Sequence, residues 1–291
     1  MKIHPSAIVS PQAELGIDVE IGPYCTIESG VQIADRCRLV AHATIRSGTT
    51  LGCDSMVCEG AVLGGMPQHA NLKAEPGRVI IGERNIFREH STVHRSMHCD
   101  KVTRIGDDCF FMVGAHVAHD CQVDNRVILT NGTMLGGHVE VGERACLGGN
   151  VAVHQFCRIG RLAMVGGCTK VVQDVPPFVL TDGATALVVG LNSVGLRRAG
   201  LDRQQILNLK AAYRLIYRKG LNFRDTIAAL EEQFPQGFAS EFAEFFQGGQ
   251  RGFVQERRRP PRVALRVHPS IDEIDDLDEA SEAPTPRRLA G

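Results

Sequence analysis

Counting in sixes from Ile3, an aliphatic residue returns at Val9, Leu15, Ile21, Ile27, Ile33, Leu39, Ile45, Leu51, Val57 and Leu63 without a miss. Two residues before most of these stands a small or β-branched side chain, as at Cys25, Val31, Cys37, Ala43, Thr49, Ser55 and Ala61. The rhythm pauses, returns at Ile81, Phe87 and Val93, pauses again, and then runs from Ile105 through Phe111 and every sixth residue to Val171. A period of six is neither the 3.6 of a helix nor the 2 of a plain strand. It is the signature of a parallel β-helix, in which each hexad supplies a short strand and a turn. Three hexads close one triangular coil of 18 residues, and stacked coils bury the aliphatic position in a continuous core that one coil alone cannot form. The 26 hexads predict between eight and nine coils. The general preference for right-handed crossovers predicts a right-handed winding.

The two pauses, "MPQHANLKAEPGRV" (66–79) and "HRSMHCDKVTR" (94–104), are polar and charged and are expected as loops extruded from the prism. Loops on a rigid scaffold are where function tends to sit. After Val171, "QDVPPF" is expected to end the ladder, since consecutive prolines cannot donate to it. A helical region follows. Asp202 with Gln205 reads as a capping box, and Ile206, Leu209, Tyr213 and Ile216 recur at helical spacing. "RDTIAALEEQF" and "SEFAEFFQ" predict further helices, with Gly237 and Gly248 as breakers. The chain thus divides into a β-helix over 1–190, a helical domain over 191–254 and a tail over 255–291. That tail runs "RRRPPR" and then "DEIDDLDEASEAPTP", a composition expected to be disordered.

With 43% apolar residues the chain can bury a sizeable core, and 32 basic against 33 acidic side chains give no global attraction to nucleic acid. No apolar stretch suits a signal peptide or a transmembrane segment, which predicts a cytoplasmic location. Ten cysteines in a chain of this length without a signal sequence are expected to stay reduced. Cys25, Cys37, Cys109, Cys121 and Cys157 fall at the small inward position, where a compact thiol packs well. Arg197, Arg198, Arg203, Lys210, Arg214, Arg218, Lys219 and Arg224 face a single acid, Asp202, in the helical region. That is either a solvated face or a dock for an acidic partner.

Reducing residue numbers by the 18-residue coil brings His116, His119, His138 and His154 to one corner, exposed, with Asp120, Gly137 and Gln155 beside them. Three chemistries can use such a corner. Zinc wants three or four converging ligands, as in the gamma-class carbonic anhydrases that such a fold would then resemble. A neutral imidazole, oriented by Asp120, can instead serve as a metal-free general base for a hydroxyl or amine attacking a thioester. A pure scaffold is the third. Spacing does not decide between the first two.

The runs "HVAHDC", "GGHVEVG", "VHQF", "VGGC", "QDVPPF" and "YRLIYRKG", in this order over residues 1–250, resemble the acyl-[acyl-carrier-protein]:UDP-N-acetylglucosamine O-acyltransferases. The resemblance implies a left-handed winding, a homotrimer with active sites between neighbouring subunits, and no cofactor or metal. It also implies transfer of an (R)-3-hydroxyacyl chain from acyl carrier protein to the 3-hydroxyl of UDP-N-acetylglucosamine, the first step of lipid A biosynthesis. By the same resemblance His119 is the general base with Asp120 as its neighbour, and the Gly137 N–H is the oxyanion donor. His116, His138, His154 and Gln155 contact donor or nucleotide sugar, Asn192 and Arg198 hold the UDP, and Gly167 floors the acyl groove. The family's first loop usually carries an Asp after its Gln; here Gln68 is followed by His69, Ala70 and Asn71, and Val194 replaces a Glu of the UDP segment. These departures keep a 3-amino UDP-sugar, and hence N-acylation, as the alternative acceptor.

Overall fold

The structure, a computed structural model, describes residues 1–70, 72 and 75–257. Its strands, most of them two residues long, form sheets of 11, 9 and 8 strands, one on each face of a triangular prism. Partners in neighbouring coils stand 18 residues apart, as Ile21 opposite Leu39. Across the first pause the step becomes 30 (Val57 opposite Phe87) and across the second 24 (Ile81 opposite Ile105), so the loops add twelve and six residues to their coils. Both loops leave the ladder intact on either side.

Two residues of each hexad point inward, the aliphatic one and the small one before it. Ile45, Leu51, Leu63 and Leu129 are fully buried, as are Cys25, Val31, Cys37 and Ala43. Removing each such aliphatic side chain from water contributes about 1.5–3 kcal/mol. Phe87 and Phe111 stack in register, 4.8 Å apart and 5° from parallel. The first coil has nothing beneath it, and Ile3 is left 40% exposed. At most corners the chain turns through one residue with φ near +60°, from Asp18 (55°) through His138 (60°) to Phe178 (65°). The prism winds left-handed, as the resemblance implies and against the right-handed crossover rule. That rule describes long crossovers packing back on an open sheet, whereas here each connection is a single tight corner.

The ladder also continues past the prolines. Pro176 and Pro177 occupy a corner, where no N–H is required, and Val179–Asp182 then adds a further parallel strand beside Met164 and Val165. Leu187–Leu191 pairs with it antiparallel and closes the sheet. Four helices follow: α1 (Ser193–Arg198), α2 (Arg203–Arg218), α3 (Phe223–Gln233) and α4 (Glu241–Gln247). Asp202 and Gln205 form the capping box of α2, and Gly248 ends α4. Arg158 ties the helices to the prism. It pairs with the buried Asp174 at 2.8 Å, donates to the Phe245 carbonyl at 2.7 Å and lies 4.2 Å over the Phe245 ring. Residues 255–257, assigned to the tail from the sequence, instead pair with the sheet: Arg257 N–H donates to the Val188 carbonyl and Glu256 bonds the Tyr213 hydroxyl. The rest of the tail lies outside the described residues. No helix among them is long and apolar enough to cross a membrane.

Candidate active site

One corner of the prism turns through residues 118–120, 136–138 and 154–156 in successive coils. His119 and Asp120 follow the strand His116–Val117, and Asp120 takes the left-handed turn (φ 61°) with its N–H donated to Thr103 Oγ1 at 2.8 Å. That turn folds the carboxylate back on its neighbour. His119 Nδ1 stands 2.9 Å from Asp120 Oδ2, and His138 Nε2, one coil on, 3.7 Å from the same oxygen. The His119 and His138 rings meet edge to face at 5.2 Å, and the half-exposed Phe156 stacks on His138 at 4.5 Å.

Contrary to the expectation of an exposed corner imidazole, His119 is 6% exposed and Asp120 8%. The first loop brings His69 to 6.0 Å from His119, edge to face. Gln68 beside it is exposed, and Asn71 lies outside the described residues. The second loop bonds Asp120 from the other side: the Ser96 hydroxyl donates to Oδ1 and the Met97 N–H to Oδ2 at 3.2 Å. Burial alone would raise the Asp120 carboxyl. Hydrogen bonds from Ser96, His119 and Met97 outweigh it and hold the group below the usual carboxylate range. A ring that donates Nδ1–H to this carboxylate keeps the lone pair on Nε2.

Gly137 explains why that corner carries no side chain. A Cβ there would stand 2.5 Å from His119 Cε1 and 2.7 Å from Nε2, so glycine is required for close approach and not for its φ. The Gly137 backbone is buried, and its N–H has no acceptor among the described residues. A free buried donor is uncommon in a folded chain and suits an oxyanion that forms only during reaction.

His116 lies on the strand beside the corner, bonded to Thr92 Oγ1 at 2.8 Å and 5.1 Å from the His94 ring. Burial pushes it down to about 4, with repulsion from His94 and His119 adding to the effect. Burial likewise lowers His138, against the pull of Asp120, and His94. His154 is exposed, with Nδ1 3.0 Å from the Gln155 carbonyl and 2.9 Å from Arg251. A protonated Nδ1 serves the carbonyl and a bare one the guanidinium. His119, Asp120 and His138 offer one ligand atom each within 4.8 Å of one another. The Asp120 oxygens are already committed to three donors, His119 among them, so a cation there would displace that hydrogen bond.

The remaining expected residues do not join this corner. His116, Met134 and Ala152 stack on one face, whose other edge is the corner where Asn131, Gly149 and Gly167 stand in a column. A Cβ on Gly167 would reach 3.2 Å from the Gly149 carbonyl. Asn192 belongs to the third corner. It donates to the Leu162 carbonyl at 2.9 Å and caps α1 through the Gly195 N–H at 3.0 Å. Arg198, in the last turn of α1, is exposed, as is Val194. Within one chain a whole face of the prism separates these from His119. The face between the second and third corners carries an outward ladder of Ile86, Phe110, Ile128, Cys146 and Met164, apolar where a solvated sheet would be polar.

Residues 174–254 match the family described as UDP N-acetylglucosamine O-acyltransferase, domain 2, and residues 12–47 match the bacterial transferase hexapeptide repeat. The chain is 42% identical over 256 residues to an acyl-[acyl-carrier-protein]--UDP-N-acetylglucosamine O-acyltransferase of Halorhodospira halophila, covering 87% of this chain and 99% of that one. A protein of the same name from Burkholderia lata is 42% identical over 260 residues, with the same shares covered. Among solved structures, the UDP-N-acetylglucosamine acyltransferase of Francisella novicida superposes with a TM-score of 0.85 at 30% identity, covering 87% of this chain and 94% of that one. That of Bacteroides fragilis 9343 gives 0.84 at 34% identity, covering 87% and 100%.

Proposed function

The chain belongs to the acyl-[acyl-carrier-protein]--UDP-N-acetylglucosamine O-acyltransferase family, and from that membership we propose how its own residues perform the transfer. The enzyme moves an (R)-3-hydroxyacyl chain from acyl carrier protein to the 3-hydroxyl of UDP-N-acetylglucosamine, the first step of lipid A biosynthesis. His119 Nε2 takes the proton of the sugar hydroxyl as its oxygen attacks the thioester carbonyl. Asp120 holds the ring and stabilises the imidazolium. The tetrahedral oxyanion accepts the Gly137 N–H. Collapse expels the carrier's thiolate, which recovers the proton from His119. The observation that carries this reading is the contact between Gly137 and the His119 ring, which sets an unused donor beside the lone pair of the base.

The acyl chain runs from the His119 corner past Met134 to Gly167. Asn192 and Arg198 reach a nucleotide only across an interface, so the working form is a homotrimer packed on the Ile86–Met164 ladder, each site shared by two chains. The exposed cations of α1, α2 and α3 then suit the acidic carrier protein. A cytoplasmic location goes with this reading and suits ten unpaired thiols.

His116, His138, His154 and Gln155 line the donor and sugar path. His69, edge-on to His119, stands in for the loop carboxylate at the sugar, with Gln68 and Asn71 on the same loop. The test supplies purified enzyme with one 3-hydroxyacyl carrier protein and a panel of UDP-sugars, the 3-amino analogue included, and reads products by mass. Ester formation on UDP-N-acetylglucosamine is expected. Turnover of the amino sugar with little of UDP-N-acetylglucosamine would overturn the acceptor.

A further inference from the structure

We infer that Ser96, in the second loop, is a positioning residue for the reaction: it fixes the Asp120 carboxylate and, through it, the imidazole of His119. The inference rests on the assignment of His119 and Asp120 made above. Ser96 is fully buried. Its hydroxyl oxygen accepts the His98 N–H at 3.1 Å, and its one hydrogen has two acceptors in reach, the Asp120 carboxylate and the His98 carbonyl at 3.2 Å. An ionised carboxylate is the stronger acceptor, so the hydrogen goes to Asp120.

The division of labour between the two carboxylate oxygens is what makes Ser96 matter. Oδ2 receives His119 and the Met97 N–H, whereas Oδ1 receives Ser96 alone. Without that hydroxyl, Oδ1 is a buried charged acceptor with no donor, and the carboxylate turns about its own bond to find one. Any such turn carries Oδ2 away from His119 Nδ1. The backbone of Asp120 cannot follow, because its left-handed turn is bonded to Thr103. The six residues that the second loop adds to its coil thus begin with a seat for the carboxylate beneath the base.

The titratable and charged groups facing this pair are His138 from the next coil, His94 and His116 from the strands alongside, His69 from the first loop, and His98 and Lys101 from the second. None of these replaces the donor at Oδ1, since among the described residues Ser96 is its one partner.

The test measures kcat, KM for both substrates, the pH profile of kcat/KM and the melting temperature for wild type, Ser96→Ala and His119→Ala. Ser96→Ala should fold, lose about tenfold to a hundredfold in kcat, and keep both KM values within about twofold. Its acid limb should move to lower pH, because a carboxylate turned away from Nδ1 stabilises the imidazolium less and the ring gives up its proton sooner. A kcat and acid limb equal to wild type would overturn the inference. So would a loss of activity carried by KM with the limb unmoved, which marks a packing defect. His119→Ala separates the two levels: activity there removes the assignment of the base, whereas a dead His119→Ala beside a wild-type-like Ser96→Ala removes the role of Ser96 alone.

Discussion

Adding one methyl group at Gly137 tests the geometry of the base without touching any functional atom. In Gly137→Ala the new carbon would stand 2.5 Å from His119 Cε1, 2.7 Å from Nε2 and 3.1 Å from Nδ1. Carbon atoms rest at about 3.5–4.0 Å, so the ring must withdraw by roughly 1 Å. Its retreat is restricted by Asp120 at 2.9 Å and by the edge-to-face contacts with His138 at 5.2 Å and His69 at 6.0 Å. Overpacking of this kind costs about 1–3 kcal/mol of stability. The larger effect falls on rate, since a base displaced by about 1 Å loses about a hundredfold in the chemical step. Single-turnover acylation with preloaded acyl carrier protein isolates that step from product release. Gly190→Ala is the control, because a Cβ there meets nothing within 4 Å. The variant should fold and lose about a hundredfold in the single-turnover rate, with the control unchanged. A Gly137→Ala enzyme within twofold of wild type would refute the packing of Gly137 against the working ring.

Gly167→Met should shorten the preferred acyl chain, because the side chain would cross the floor of the groove beside Gly149. Each excluded methylene costs about 0.8 kcal/mol, and a competition assay with carriers of mixed chain length that showed an unchanged profile would remove Gly167 as the ruler. Stability should fall on acidification between about pH 6.5 and pH 4. His116 is held down to about 4 in the folded chain, so below pH 6.5 the unfolded chain binds the extra proton and is favoured. His94 and His138, also lowered, act in the same direction. The loss from His116 comes to about 2 kcal/mol at pH 5. A urea midpoint that did not fall from pH 7 to pH 5, or a slope unaltered by His116→Asn, would contradict it.

The prism was legible because one physical demand, an inward aliphatic residue, recurs at a fixed period from Ile3 to Val171. The corner that gathers His119, Gly137 and His138 was legible for the same reason, since all three lie in unbroken coils. His94 and Ser96 escaped because the second loop changes the step from 18 to 24; counted by 24, Thr92 falls under His116 and Ser96 under Asp120. His69 escaped the periodic count altogether, as it lies inside the longer loop and only the tertiary path brings it to His119. The six-residue α1 is too short to show a helical period, and its start is fixed instead by the Asn192 cap. The strand Val179–Asp182 was hidden behind two prolines that a corner accommodates without loss.

In the proposed trimer His119 of one chain works with Arg198 of another. The direct measurement co-expresses His119→Ala and Arg198→Glu chains carrying different affinity tags, isolates the mixed trimers and assays them beside each variant alone. Each variant alone should be inactive. If sites are shared across a repeating interface, every mixed trimer pairs an intact His119 with an intact Arg198 at one of its interfaces, and activity should return to about a third of wild type. Mixed trimers as inactive as their parents would contradict a shared site, and an active His119→Ala enzyme would contradict the base.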